Sequence, residues 1–290
     1  MERYPLTVNK LPSANRSCDR VADSFTQLRT DGDGFALDRC ALAIATDHDP
    51  ELDVEHYLNE LDRLATRIAP QFEKATSLRA QVEALTRHLS KEEGFTGNSD
   101  EYYVPENSYL SHVLEKRNGL PITLSVVYVE VARRLGLNLE GVGFPAHFLL
   151  RVGDPPIFID AFHDGALLDE GDCEALLRRF TGGQMRFHEG LLAPVTTDQV
   201  LLRILRNLKL LHVKEGRAYD ALRMVDRLLA IDPQQMREYR DRGLLCMEQA
   251  DWKGAVDDLT FYLGHVRGPK DELFVRAKLA LATQRYYAVN

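Results

Sequence analysis

The chain has 290 residues, 44% of them hydrophobic and 28% charged, and its formal net charge is −8. This composition is ordinary for a soluble globular protein with room for one or two domains. Nonspecific nucleic-acid binding draws most of its energy from basic residues that neutralise phosphates, so a net acidic chain argues against a nucleic-acid partner.

The positions of the cysteines and the lengths of the apolar runs indicate the cellular compartment. The four cysteines are Cys18, Cys40, Cys173 and Cys246, and none lies within four residues of another. They form no zinc-type pair and do not suggest a disulfide framework. No apolar run reaches the roughly 18 residues of a membrane span, and the N-terminus lacks an apolar signal core. We therefore expect a cytoplasmic protein with no membrane contact, metal ion or cofactor.

The N-terminal third is predicted to be helical after a polar leader. Residues 1–34 are polar and interrupted by prolines, which indicates a loosely ordered segment. Apolar residues then recur at three- and four-residue steps from Leu37 to Ile68, with a break at Pro50, and again from Leu78. This spacing predicts three helices.

A loop and two further helices follow. Residues 94–105 are rich in loop-forming types, and a short helix is expected next, with Asn107 or Ser108 as its N-cap. Pro121 then stands where the first turn of a helix accepts proline. Residues 122–135 are apolar on most faces, so this helix is predicted to be buried.

After Gly136 the apolar period changes. Residues 139–144, 148–152 and 157–159 form short apolar runs separated by glycine and proline, as strands of a small antiparallel sheet do. A buried helix packed on such a sheet makes an α+β domain, which we place at residues 35–195.

The last third contains a repeat. Ala221 and Ala255 occupy equivalent places in similar segments and are 34 residues apart, which is the tetratricopeptide period. Pro233 and Pro269 follow the two segments. We predict an all-α domain over residues 200–290, with two repeats and a closing helix, that binds a protein or peptide partner. The oligomeric state is not determined by these patterns.

A histidine and an aspartate suggest the chemistry. His147 stands in the apolar segment Gly-Phe-Pro-Ala-His-Phe, and Asp160 follows thirteen positions later at the end of the next apolar run. If the two lie on neighbouring strands, the carboxylate can fix the tautomer of the imidazole, which can then act as a base. In isolation, a histidine in an apolar run is more often a satisfied structural residue, and an aspartate that ends a strand is more often a turn former.

Longer segments resemble a known family. They are residues 103–110, 113–117, 119–125, 141–149 and 158–162. Together they are similar to the SirB-type transglutaminase-like family, whose members are bacterial, have a helical N-terminal part and often end in tetratricopeptide repeats. The resemblance implies a transglutaminase-like, papain-type core with a helical N-terminal part, followed by all-α repeats.

The resemblance also implies a missing nucleophile. In transglutaminase-like enzymes a cysteine stands at the N-terminus of the buried helix, where the helix dipole stabilises a thiolate. Counting back without gaps places that position at Pro121, within two residues. The nearest hydroxyls are Thr123 and Ser125, which would need activation by His147. Cys173 is a poor substitute because carboxylates surround it in the sequence.

Each neighbouring residue has a functional and a structural interpretation. Asn107 and Ser108 either face the cleft or cap a helix. Arg117 either binds an anion or pairs with a carboxylate. Thr123 and Ser125 either line the cleft or bond to their own helix.

His147 and Asp160 have three interpretations. They bind a ligand, or they persist as a buried polar pair, or they ligate a metal ion with His163 or Asp164. The leading hypothesis is a non-catalytic binding or scaffold protein built on a degenerate transglutaminase-like domain. The alternative is a hydrolase or acyl transferase that uses Thr123 or Ser125 with His147 as base.

Overall fold

The computed structural model describes residues 27–30 and 34–289. Most of the expected leader over 1–34 therefore lies outside the described residues. Its described part holds strand β1 (Arg29–Thr30), which pairs antiparallel with β2 (Gly34–Phe35). The described residues separate into two compact units, 28–211 and 212–289, whose boundary falls inside one long helix.

The first unit is mixed α and β. Its elements after β2 are α1 (Leu37–Ala45), α2 (Val54–Lys74), α3 (Leu78–Arg87), a π-helical turn (His88–Glu92), β3 (Thr96–Gly97), a 3-10 helix (Pro105–Ser108), α4 (Leu110–Lys116), β4 (Asn118–Gly119), α5 (Pro121–Arg134), β5 (Glu140–Val142), β6 (Leu149–Val152), β7 (Ile157–Asp160), β8 (Ala166–Leu168), α6 (Glu170–Thr181), a second 3-10 helix (Glu189–Leu192), β9 (Pro194–Val195) and α7 (Thr197–Lys214), which crosses the boundary.

The first three helices form where the apolar spacing predicts them. Asp53 and Ser77 begin α2 and α3 by accepting a hydrogen bond from a backbone N–H three residues later. Leu61, Leu64 and Ile68 lie on one face of α2 and are fully buried. The packing of that face stabilises α2 more than its own propensity does.

Helix α5 is the central element of the first unit. Pro121 occupies its first turn, where the missing N–H has no intrahelical partner to lose. The helix is buried on most faces, as predicted, and Tyr128 in its middle is fully buried. Gly136 follows the helix with a φ of +78°, which glycine adopts without strain.

The sheet has five strands in the order β8-β7-β6-β5-β9, and every neighbouring pair is antiparallel. The three strands predicted from the apolar runs are present as β5, β6 and β7. The short strands β8 and β9 were not predicted. Phe144, Leu149 and Phe158 from the sheet region pack against Cys173 and Leu177 of α6, so the α+β class is confirmed.

The beginning of α4 differs from the prediction. Asn107 and Ser108 lie in the preceding 3-10 helix, and the N-cap of α4 is Tyr109, which makes no side-chain capping bond. The prediction that Asn107 or Ser108 caps this helix is therefore wrong. The physical reason is that both side chains are turned into the interior, where they are buried.

The second unit contains α8 (Ala218–Ile231), α9 (Met236–Glu248), α10 (Trp252–His265) and α11 (Glu272–Val289). Helices α8 and α10 begin 34 residues apart, and the turns before them place Gly216 and Ala250, also 34 apart, at positive φ. The repeat predicted from the sequence is thus present in the backbone. No described helix is both long enough and apolar enough to cross a bilayer.

Small residues let the repeat helices approach closely. A Cβ added at Gly243 of α9 would lie 2.8 Å from the Leu259 side chain of α10. Ala255 is fully buried between the same elements. A buried charged contact also joins these helices, because Arg242 donates two hydrogen bonds to Asp258, at 2.7 and 2.8 Å, and one to Asp226 of α8.

Candidate functional site

His147 lies in the turn between β5 and β6, two residues before β6 begins. Its backbone N–H donates to the carbonyl of Phe144, and the preceding Ala146 has a φ of +56°. Arg203 of α7 donates a hydrogen bond of 2.7 Å to the carbonyl of His147. His147 therefore does not lie on a strand, as the suggested histidine–aspartate pair on neighbouring strands would require, but in the turn between β5 and β6, which Arg203 holds.

His147 and Asp160 are nevertheless brought together. Nε2 of His147 lies 2.9 Å from Oδ1 of Asp160, and the two residues are only 4% and 2% exposed. The ring is not oriented for a well-aligned hydrogen bond at this distance. With Nε2 facing the carboxylate, the other ring nitrogen points away from Asp160. This is the arrangement in which an imidazole can serve as a base or bind a ligand.

Asp160 has a second imidazole partner. His163 contacts Oδ2 through Nδ1 at 2.7 Å, and the backbone N–H groups of Phe162 and His163 donate to Oδ1. Burial acts to raise the pKa of Asp160, but the contacts with His147 and His163 outweigh burial and hold this pKa below its usual range. The carboxylate is therefore charged at neutral pH.

A pocket of about 320 Å³ opens beside His147. Its walls are mainly aromatic and its floor includes the first residue of α5. Among its lining residues are Tyr102, Tyr103, Pro121, His147, Phe162, His163 and Phe180. The ring centroids of His147 and Phe180 are 5.1 Å apart, and those of His147 and Phe162 are 6.0 Å apart. An apolar pocket with a few polar groups is the usual form of a small-ligand site.

Pro121 occupies the place beside His147 where the family resemblance expects a nucleophile. It lines the same pocket as His147 and stands at the N-terminus of α5. Proline has no nucleophilic atom and no N–H to offer an oxyanion. The two neighbouring hydroxyls, of Thr123 and Ser125, lie elsewhere.

Thr123 and Ser125 do not line this pocket. Thr123 is fully buried, and its hydroxyl has no hydrogen-bond partner among the described residues. Ser125 donates a hydrogen bond of 2.7 Å to the carbonyl of Pro121 and borders a different cavity, of about 240 Å³. The structure thus brings together His147, Asp160 and Pro121, and leaves both hydroxyls outside.

Cys173 is part of the core between α6 and the sheet and is fully buried. Burial, with smaller contributions from Asp172, Asp169 and Glu170, raises the pKa of its thiol to about 12. A thiol with so high a pKa is not a nucleophile at neutral pH.

Asn107 is fully buried below the loop that carries Tyr102 and Tyr103. Its amide N–H donates to the carbonyls of Glu101 and Tyr102, and its oxygen accepts from the Asn98 side chain. Asn107 therefore supports a wall of the pocket from behind. The adjacent Ser108 is also buried, and its hydroxyl has no partner within the described chain.

Arg117 is a structural residue by its contacts. It ends α4 in the left-handed conformation with a φ of 60°. Its guanidinium donates to Oε1 of Glu60 at 2.8 Å and to the carbonyl of Leu114, and it lies over the ring of Phe95. These contacts correspond to carboxylate pairing, which was the structural interpretation of Arg117 from the sequence.

His147 and two neighbouring side chains could together hold a metal ion. Ligand atoms of His147, Asp160 and His163 all lie within 4.8 Å of one another. Asp164, the other sequence candidate, instead contacts Lys91 at 2.7 Å and Thr96 at 2.9 Å. The sequence offered His163 as a candidate ligand, although the spacing of these residues is not a known metal-ligand pattern.

The aromatic walls of this pocket were not predicted from the sequence. Tyr102 and Tyr103 come from a loop, and Phe180 comes from the last turn of α6. From the sequence, aromatic residues at these positions indicate only ordinary packing, because no spacing relates them to His147. Phe162 lies in a segment of family resemblance, but nothing there marks it as a pocket residue.

Comparison with known proteins agrees with this architecture. Residues 55–206 match the transglutaminase-like superfamily, and residues 208–281 match a tetratricopeptide repeat. A UPF0162 protein of Xylella fastidiosa is 38% identical over 80% of this chain and 85% of its own length. A UPF0162 protein of Pseudomonas aeruginosa is 34% identical over 72% of this chain and 76% of its own length.

A more distant similarity extends to animals. Human F-box only protein 21 is 36% identical over 55% of this chain and 27% of its own length. No solved structure matches the chain. The matches cover both units described above. The chain therefore belongs to the SirB-type, or UPF0162, family, in which a transglutaminase-like domain is followed by tetratricopeptide repeats.

Proposed function

We propose that this protein is a non-catalytic binding protein, in which the transglutaminase-like domain recognises a ligand in the pocket beside His147 and the repeats recognise a protein or peptide. The observation that carries the proposal is Pro121. It stands at the start of α5 in the pocket that also contains His147, where the catalytic cysteine of transglutaminase-like enzymes is expected. With proline at this position, the imidazole and the carboxylate lack the nucleophile that transglutaminase-like enzymes use to form an acyl-enzyme, although they can still bind a ligand.

The positions of the two hydroxyls support the same proposal. Thr123 is fully buried, and Ser125 donates to its own helix. A serine or threonine nucleophile needs a base within hydrogen-bond reach and an open path for substrate. Neither Thr123 nor Ser125 lines the pocket that contains His147.

The repeat unit supports the second half of the proposal. Tetratricopeptide repeats generally mediate contacts between proteins. The second unit carries exposed apolar side chains, among them Tyr219 at 54%, Leu273 at 86% and Phe274 at 51%. Leu273 and Phe274 are neighbours in sequence, and contiguous exposed apolar surface is a feature of sites that bind other proteins.

A hydroxyl-directed fluorophosphonate probe tests the first half. The purified chain and its His147→Ala variant are incubated with the probe, and their masses are measured. We expect no adduct on either protein. A stoichiometric adduct on Thr123 or Ser125 that disappears in His147→Ala would overturn the proposal and make this an enzyme with a substituted nucleophile.

A reciprocal experiment installs the missing group. In a Pro121→Cys variant, the α5 dipole and His147 should lower the pKa of the new thiol and speed its alkylation by iodoacetamide at pH 6. The matched control is the double variant Pro121→Cys with His147→Ala, which should react more slowly. Equal rates in the two variants would show that position 121 and His147 do not share a site.

Peptide selection tests the second half. Peptides are selected from a displayed library for binding to the full chain, and their affinities are then measured for variants of the repeat surface. We expect Tyr219→Ala or Leu273→Ala to weaken the selected peptides, whereas replacement of the exposed Met185 in the first unit should not. Peptides that bind all three variants equally would contradict a role for the repeats.

A further inference from the structure

We propose that His147, Asp160 and His163 bind a divalent transition-metal ion of the zinc class, with open coordination positions facing the aromatic pocket. This inference does not depend on the proposed function, because a metal ion can be held by these side chains whether the pocket serves binding or chemistry. It rests on three observations: the clustering of the ligand atoms, the unmatched ring nitrogen of His147 and the anchoring of the ligand-bearing segments.

The ligand atoms are already close to a metal-binding arrangement. The atoms offered by the three side chains lie within 4.8 Å of one another. The two imidazoles approach opposite oxygens of one carboxylate, with contacts of 2.9 and 2.7 Å. Ligands about 2.1 Å from a tetrahedral zinc ion are roughly 3.4 Å apart. To reach that spacing, the ring nitrogens of His147 and His163 move about 0.5 and 0.7 Å away from the Asp160 oxygens.

His147 offers a ligand atom that protein contacts leave unsatisfied. The residue is 4% exposed, and its Nε2 has no aligned hydrogen-bond partner among the described residues although it faces the Asp160 carboxylate. A buried polar atom without a partner costs about 1–3 kcal/mol. Coordination of a cation between this nitrogen and the carboxylate satisfies both groups.

Outer contacts hold two of the three ligands in place. The Asp160 carboxylate accepts hydrogen bonds from the backbone N–H groups of Phe162 and His163. The carbonyl of His147 accepts from Arg203, which fixes the turn that carries the imidazole. Metal ligands in proteins are commonly oriented by such secondary hydrogen bonds. The third ligand, His163, is 48% exposed and has room to adjust.

The donor set selects the class of ion. Two imidazoles and one carboxylate suit Zn²⁺, Co²⁺ and Fe²⁺, whereas Mg²⁺ and Ca²⁺ prefer sites built from oxygen ligands. Three protein ligands leave one or more positions for water or an added ligand, as in metal sites that keep an open position. Those positions face the pocket, because His147 and His163 both line it.

A competition titration tests the proposal on the full chain. The protein is stripped with a chelator, and Zn²⁺ is titrated in the presence of a chromophoric zinc indicator. We expect one equivalent of tight binding per chain. His163→Ala should weaken it at least tenfold, roughly the low end of what even indirect partners of a metal contribute. His188→Ala, which removes an exposed histidine outside the cluster, should leave the affinity unchanged.

Two further measurements separate this site from others. Zn²⁺ should raise the melting temperature of the wild type but not that of His163→Ala. Co²⁺ should give visible bands without a thiolate-to-metal band, because the cluster contains no cysteine. Absence of stoichiometric binding, equal affinity in His163→Ala and His188→Ala, or a thiolate band would overturn the proposal. The variant chosen is the half-exposed ligand, so loss of folding does not confuse the result.

Discussion

Asp160 shows how one residue ties the site to the stability of the fold. It is 2% exposed, yet its carboxylate stays charged because His147, His163 and two backbone N–H groups surround it. Its pKa lies below its usual range for the same reason. The folded state therefore binds fewer protons at this group than the unfolded chain, in which an aspartate titrates at about 3.9.

The lowered pKa predicts a pH-dependent effect of Asp160→Asn. Because the folded pKa lies below the unfolded one, the stabilisation is fully present above about pH 4 and is lost as the pH falls through the folded pKa. Urea unfolding at pH 7 should show a loss of about 1.5–3 kcal/mol, the range for hydrogen bonds to charged groups. The loss should shrink as the pH falls below about 4.

The control for this comparison is Asp100→Asn, which changes an exposed aspartate in a loop. It should leave the free energy of unfolding almost unchanged at each pH. A loss from Asp160→Asn that is the same at pH 7 and pH 3.5 would mean that packing, and not the charge, accounts for the effect.

From the buried hydroxyl of Thr123 we predict that one substitution at this position does not lower the stability of the protein. The hydroxyl is fully buried and has no hydrogen-bond partner in the described part of the chain. Valine has nearly the same shape and removes the unmatched polar group, so Thr123→Val should leave stability unchanged or raise it by about 1 kcal/mol. Chemical denaturation of the variant measures this. A loss above about 2 kcal/mol would indicate a hidden partner for the hydroxyl.

At the scale of elements, the loop before α4 forms one wall of the pocket. Asn107 holds this loop from inside by donating to the carbonyls of Glu101 and Tyr102. Tyr103 beside them is 72% exposed, so little else buries the tip of the loop. The order of the wall therefore depends on a side chain that belongs to the neighbouring 3-10 helix.

Asn107→Ala should consequently loosen the wall and destabilise the first unit. Because the carbonyls of Glu101 and Tyr102 lose their hydrogen-bond donor, we expect the free energy of unfolding to fall by about 1–3 kcal/mol. Hydrogen exchange measured by mass spectrometry should show faster exchange in residues 99–104 than in the wild type, while β6 and β7 stay protected. Unchanged exchange in this loop would mean that the aromatic contacts of Tyr102 suffice to order it.

At the scale of the whole molecule, both units combine an apolar core with buried charged groups, which in the first unit include Glu130 of α5. The first unit surrounds α5 with apolar side chains, and Tyr128 and Val131 are fully buried there. The second unit buries a charged group. Arg242 is 8% exposed and bonds to Asp258 and Asp226, which joins helices α8, α9 and α10.

Arg242→Leu should therefore destabilise the repeats strongly. Removing one partner of a buried ion pair leaves an uncompensated charge and costs about 3–5 kcal/mol. Hydrogen exchange in α9 and α10 reports this loss locally. The double variant Arg242→Leu with Asp258→Leu should recover part of it, since the unmatched charge at 258 is gone. A double variant as unstable as the sum of the single ones would contradict this account.

Much of the architecture followed from local patterns. The three-and-four spacing of apolar residues predicted α1 to α3, the change of period after Gly136 predicted β5 to β7, and the 34-residue offset predicted the repeat. These patterns are readable because each reflects one buried face of one element. The short strands β8 and β9 lie outside the longer apolar runs, so no such period marks them.

The sequence by itself determined the family and the absence of a cysteine at position 121, because long matching segments specify one backbone arrangement. It offered the pairing of His147 with Asp160 only as one of several interpretations. Only the tertiary structure decided what surrounds that pair. The aromatic wall, the approach of His163 to the Asp160 carboxylate, and the withdrawal of Thr123 and Ser125 from the pocket depend on contacts between distant segments. Side-chain direction within a packed core is set by such contacts, and neither spacing nor composition encodes them.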